Sequence, residues 1–70
     1  MNRYLVLFEK SEDGYSAYVP DLPGCVAFGD TKEETEQLIF EAIKFHIEGL
    51  KLEGQPIPEN NVESEMLLVG

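Results

Sequence analysis

Among its 70 residues the chain has one cysteine, one histidine, no tryptophan and only five basic side chains. With Cys25 alone, no intrachain disulfide can brace so short a polypeptide. With His46 alone, there is no Cys/His set for a structural zinc. A chain of this size buries only roughly 60% of its unfolded surface. Stability therefore rests on packing, and a second copy of the chain is a ready source of further apolar cover. The scarcity of Lys and Arg argues against binding a phosphate backbone, where affinity comes from basic groups displacing counterions. The longest strictly apolar runs, Leu5 to Phe8 and Met66 to Val69, are four residues each, far short of the ~20 that a membrane helix needs. The N-terminus also lacks the apolar core of a signal peptide. A single unpaired thiol fits a reducing compartment, so a cytoplasmic protein that makes no membrane contact is expected.

Acid, in contrast, is abundant. Fourteen Asp and Glu set the net charge at -9, which suits a partner that is itself basic. Along the chain, Arg3 to Lys10 alternates Tyr4, Val6 and Phe8 against Leu5, Leu7 and Glu9. That predicts a strand apolar on both faces at its centre, either interior or covered by a second copy. Ser11-Glu12-Asp13-Gly14 is a turn cluster, and Tyr15 to Val19 returns as a second strand. Pro20-Asp21-Leu22-Pro23-Gly24 interrupts it, with Pro23-Gly24 suited to the centre of a type II turn. Cys25 to Phe28 is a short third strand.

Asp30-Thr31 opens a helix. Thr31 with Glu34 has capping-box spacing, and Asp30 with Glu33 repeats it one residue earlier. Leu38, Ile39, Ala42, Ile43, His46, Ile47 and Leu50 follow as an apolar stripe that faces the sheet. Phe40 and Phe45 lie off it, against the sheet's flank or another subunit. Gly54 suits the helix end. Pro56 and Pro58 frame a loop, and Val62 to Val69 alternates like a last strand. The expected fold is α+β: one domain over residues 1–70, an antiparallel sheet with one packed helix, in the order β-β-β-α-β.

Catalytic chemistry finds little footing. Cys25 has no basic neighbour in sequence and sits in an apolar strand, the setting of an inert buried thiol. His46 lies on the inward stripe, where a packed boundary histidine is the plainer reading than a general base. Ser11, Ser16 and Ser64 lack any elbow-like context. A carboxylate metal site needs several oxygens at one point, yet Leu5 to Leu7 holds no acid and Glu41, Glu48, Glu63 and Glu65 read as solvated surface. No cofactor and no enzymatic activity are expected.

The sharper signal is a string of motifs. Gly14-Tyr15, Pro20-Asp21-Leu22-Pro23-Gly24-Cys25, Gly29-Asp30-Thr31, Glu33-Glu34, Glu41-Ala42-Ile43, Leu50, Gly54 and Ile57-Pro58 occur in order over essentially the whole chain. In this the chain resembles the HicB-like antitoxin family. The resemblance implies a partly degraded ribonuclease-H-like fold and a type II toxin-antitoxin role: neutralising a small basic HicA-type mRNA interferase by masking its RNA-binding surface. A working centre of the ribonuclease-H kind would want an aspartate in the first strand, where this chain has Leu5-Val6-Leu7. Many family members carry a C-terminal DNA-binding module, and this sequence shows none before Gly70. Direct nucleic-acid binding by this chain alone is therefore not expected.

The partner contacts expected on this reading are the rim acids Glu12, Asp13, Asp21, Glu33 and Glu36, facing Lys and Arg of the toxin. A homo-oligomer, dimer or tetramer, is expected from the two-sided apolar pattern of Arg3 to Lys10 and Met66 to Val69. The alternative is an orphan ligand-binding or scaffold domain of the same fold, with a pocket near His46 and Cys25. Weaker still is a relic metal nuclease, which Mg²⁺ or Mn²⁺ would stabilise.

Overall fold

The computed structural model describes residues 2–70. Leu7–Ser11 (β1), Gly14–Tyr18 (β2) and Val26–Gly29 (β3) form an antiparallel sheet in the order β1-β2-β3. A single helix, Lys32–Leu52 (α1), packs on β2 and β3. The register sorts side chains into two faces. Phe8, Ala17 and Ala27 lie in one row beneath the helix. Leu7, Tyr18 and Val26 form a row on the opposite face, and Glu9, Ser16 and Phe28 form the next. Alanines at the centre of the helix-facing side let α1 approach closely, and both are buried with Ile39 of the helix above them. The hairpin closes at Ser11 and Gly14. Gly14 has φ +145°, and a Cβ there would collide with the carbonyl oxygen of Gly29, so this corner requires glycine.

The connection from β2 to β3 folds back on itself. Val19 N–H donates to Cys25 O at 3.2 Å, Leu22 N–H to Val19 O at 3.1 Å, and Cys25 N–H to Leu22 O at 3.0 Å. These bonds drive Leu22 inward until none of it is exposed, alongside Val19 and Cys25. Pro20 and Pro23 stiffen this loop, and neither has an N–H to satisfy.

Helix α1 has defined stops at both ends. Thr31 is the N-cap, its Oγ1 accepting from Glu34 N–H at 3.1 Å. The Glu34 carboxylate reaches back to accept from Asp30 N–H at 3.3 Å, one residue beyond the N-cap amide that the reciprocal bond of a capping box would use. At the other end Gly54 takes φ +69°. Gln55 N–H bonds Leu50 O at 2.9 Å and Gly54 N–H bonds Lys51 O at 3.1 Å, a Schellman motif. The buried helix residues are Thr35 and Ile39. Ala42, Ile43, His46, Ile47 and Leu50 of the expected stripe are half-buried, while Leu38 lies at its exposed edge. Thr35 escapes a hydrophobic pattern because it is polar. Its hydroxyl donates to Thr31 O at 2.7 Å, so it sits in the core without an orphaned group.

Two expectations fail. The first strand begins at Leu7 rather than Arg3, because its partner ends: Tyr18 pairs with Leu7, and the chain then turns at Pro20. The last strand does not form. Residues 62–69 have no ladder, and Met66 to Val69 stand in solvent with Met66 98% exposed. Alternation supplies a strand's side-chain pattern, but a strand also needs a neighbour for its backbone groups, and this segment has none. The observed order is β-β-β-α.

Replacing Leu22 with alanine should cost about 2–5 kcal/mol as a buried truncation. That is a large share of the 5–15 kcal/mol that holds a typical domain together. Urea unfolding followed by circular dichroism will read it as a fall in midpoint. Thr31→Ala should cost about 1 kcal/mol in the same assay, through the lost cap.

Candidate partner-binding surface

Three surfaces of this small domain are open to solvent and hold the candidate residues. The first is the sheet face turned away from α1. Leu7, Tyr18, Val26 and Phe28 share it through the register, and Phe28 is 72% exposed. Aromatic and aliphatic groups of this kind anchor interfaces when flanked by charge.

The second is acidic. The Glu12-Asp13 turn joins β1 to β2 at the end of the sheet where β3 runs into the helix, and Gly14 packs against Gly29 and Asp30 there. Asp13, Asp30 and Glu34 line a shallow depression of about 290 Å³ with Phe28 at its edge. Glu12 and Glu33 are exposed at the same end. The structure thus brings Asp13 together with Asp30 and Glu34, the latter two accounted for in sequence by capping alone, with Glu12 and Glu33 their exposed neighbours in the chain. Glu36 stands one turn further along α1, on the side of the β1 groove.

Asp21 is elsewhere. It lies in the loop beyond Tyr18, at the opposite end of β2 from the hairpin turn, and its carboxylate is already engaged. Oδ2 accepts from Asn61 N–H at 2.9 Å and from Val62 N–H at 3.3 Å. Around it, the Tyr4 hydroxyl donates to Pro58 O, and Leu5 N–H donates to Asn60 Oδ1 at 3.2 Å. These bonds clasp the chain after the helix to the segment before β1 and to the β2–β3 loop. Burial pushes the Tyr4 phenol above its ordinary pKa, and the negative charge of Asp21 adds to the shift. Nothing local in sequence marks this clasp, since its partners lie 40 to 55 positions apart.

The third is a groove of about 380 Å³ between the start of β3 and the second half of α1, walled by Cys25, Phe45, His46 and Glu53 among others. It places His46 and Cys25 on one surface. Burial raises the Cys25 pKa, so the thiol stays protonated and is a poor nucleophile or metal ligand. Among the described residues no group of three or more His, Cys, Asp or Glu converges to hold a metal ion. Nor is any helix among the described residues long and apolar enough to cross a membrane.

Comparison with known proteins gives this geometry a context. The model of the HicB_like antitoxin of bacterial toxin-antitoxin systems matches residues 4–67. An uncharacterised 14.9 kDa protein of Haemophilus phage HP1 is 45% identical over 58 residues, covering 83% of this chain. The chain spans 44% of that relative's length. A UPF0150 protein of Synechocystis is 50% identical over 84% of this chain and 76% of its own. A UPF0150 protein of Thermoplasma acidophilum is 47% identical over 87% and 90%. Among solved structures, a chain of a HicA3 and HicB3 toxin-antitoxin complex superposes with a TM-score of 0.70 and 33% identity, over 86% of this chain and 70% of that one.

The clasp makes two measurements predictable. Asp21→Ala should speed amide exchange at Asn61 and Val62 by roughly tenfold or more, the worth of hydrogen bonds to a charged group, while the core amides keep their protection. The folded Tyr4 pKa lies above the unfolded value of 10.0, so its contribution is intact below that pH and is lost as pH rises through the folded value. Tyr4→Phe should remove that part of the alkaline loss of stability, read as a flatter midpoint-against-pH curve than the parent's.

Proposed function

Because the chain belongs to the HicB-like antitoxin family, we propose that it binds and neutralises a small basic HicA-type RNA-cleaving toxin by covering the surface that toxin uses for RNA. The observation that supports this reading is the acidic end, where Asp13, Asp30 and Glu34 line one depression between the hairpin turn and the helix start, with Glu12 and Glu33 exposed next to them in the chain and Phe28 at the edge. Carboxylates there imitate the charge of an RNA backbone, and Phe28 and Tyr18 supply the anchors that phosphates lack. A chain of net charge -9 attracts a cationic partner over several ångströms before contact, which favours capture soon after the toxin is made.

Of the five rim acids, the reading rests on Glu12, Asp13 and Glu33, and gives Glu36 a place at the margin. Asp21 is the least suited, since its carboxylate is held within the chain. The protein acts by occupation and not by catalysis, in the cytoplasm, with neither cofactor nor nucleic acid. The sheet with its single helix, lacking an acid in the middle of the first strand, is on this view what remains of a ribonuclease-H-like fold.

Reversing three charges, as Glu12→Lys with Asp13→Lys and Glu33→Lys, should slow association with a HicA-type protein by about tenfold or more at low salt. It should flatten the salt dependence and change dissociation less, since rim charges act mainly on the encounter rate. Stopped-flow mixing at several salt concentrations measures this. A HicA-type protein that does not bind the parent chain at all would overturn the reading.

A further inference from the structure

β3 is a margin of the sheet, and among the described residues no strand lies on its outer side. Backbone groups of an antiparallel strand point alternately to either side, so half of those in Val26–Gly29 face β2 and the rest face outward, without a ladder. Apolar side chains stand on both sides of this edge. Val26 and Phe28 are on the open sheet face. On the helix side, Phe45 is 80% exposed and shares the groove of about 380 Å³ with Val26. At about 100° per residue, Leu38 and Leu52 fall on the same flank of α1 as Phe45, and both are exposed. Neither the core nor the helix caps use these three side chains. Charge is sorted across the same helix. Lys32 and Lys44 hold their ammonium groups 5.3 and 5.7 Å over the Phe8 and Phe40 rings, and Lys51 falls on that side by the same period. Lys10 is in β1 and Arg3 precedes it. All five basic residues thus lie with β1 or on its side of the helix. The β3 flank has Glu41 one turn before Phe45, Glu53 at the start of the strand, and Asp13, Asp30 and Glu34 at its end.

We propose that β3 takes an extended strand of a basic protein, laid between Phe45 of α1 and the open face of Val26 and Phe28, with Lys or Arg near its ends to meet the acids there. A helix spends its backbone groups internally and leaves those of β3 unpaired, whereas a strand supplies partners for them. Main-chain bonds give such strand addition its adhesion, and alternate side chains in the groove give it specificity. Acids without a basic residue among them select a cationic occupant and speed its approach. The proposal rests on the antitoxin reading for the owner of the strand: an edge strand of the HicA-type toxin, which continues the contact from the acidic depression along the sheet margin.

The test is calorimetric titration of the full-length chain with a HicA-type protein, followed by amide hydrogen exchange on the complex. Phe45→Asp is expected to weaken binding by about tenfold or more, a decade in Kd, with an unchanged circular dichroism spectrum. Phe40→Asp, exposed on the opposite flank of the same helix, is expected to leave Kd unchanged. In the parent complex, the amides of Val26–Gly29 that face away from β2 are expected to gain protection. This second readout needs no variant, so it decides the matter even if a substitution unfolds the chain. Binding that leaves those amides unprotected, or that responds alike to Phe45→Asp and Phe40→Asp, would overturn the proposal and leave the antitoxin reading in place. A parent chain that does not bind would overturn both.

Discussion

The architecture turns on the burial of one loop side chain. Leu22 belongs to no strand or helix, yet no part of it touches solvent. Three backbone bonds among Val19, Leu22 and Cys25 hold it there. With only six buried hydrophobic residues in the core among the described residues, a leucine at the sheet's end closes what the short strands cannot. The same fold of the loop brings Asp21 outward to meet Asn61 and Val62. Core closure and the anchoring of the post-helix segment are thus two consequences of one turn. Without Leu22 seated, the acid beside it has no fixed position from which to accept those amides.

From that corner the remaining contacts follow in order. The loop sets where β3 begins, and β3 places Ala27 beside Ala17 under Ile39. Gly29 then brings the chain so close to the helix start that a Cβ there would lie 2.6 Å from Thr35 Oγ1. The helix is held at its first turn by this contact and by the Thr31 cap, and ended by the Gly54 motif. Its length is set by local chemistry at both ends, while its tilt across β2 and β3 is set by two alanines and a glycine.

How much of this is legible in sequence depends on the range of the cause. The hairpin, the Thr31 cap and the Gly54 stop rest on residues within a few positions of one another, and all three appear where the pattern places them. The start of β1 does not, because Arg3 to Val6 is fully strand-like and is cut short only by Pro20 in its partner. The last strand fails for a related reason: Met66 to Val69 alternates correctly, but the pattern carries no information about whether a neighbour is present. The rim acids show the same limit. Charge count identifies an acidic protein, whereas only the fold reveals that Asp13 joins Asp30 and Glu34 at one end while Asp21 is held at the other.

The distribution of charge gives the molecule two unlike ends of use. The acidic end is open, shallow and flanked by aromatic groups, suited to a cationic surface that must be found quickly and held. The groove beside the first strand is apolar, walled by Tyr4, Val6 and Phe8, with Glu36 at its margin. For a chain with so thin a core, whatever covers that groove would stabilise the domain through burial and firm the strand from which the hairpin turn projects.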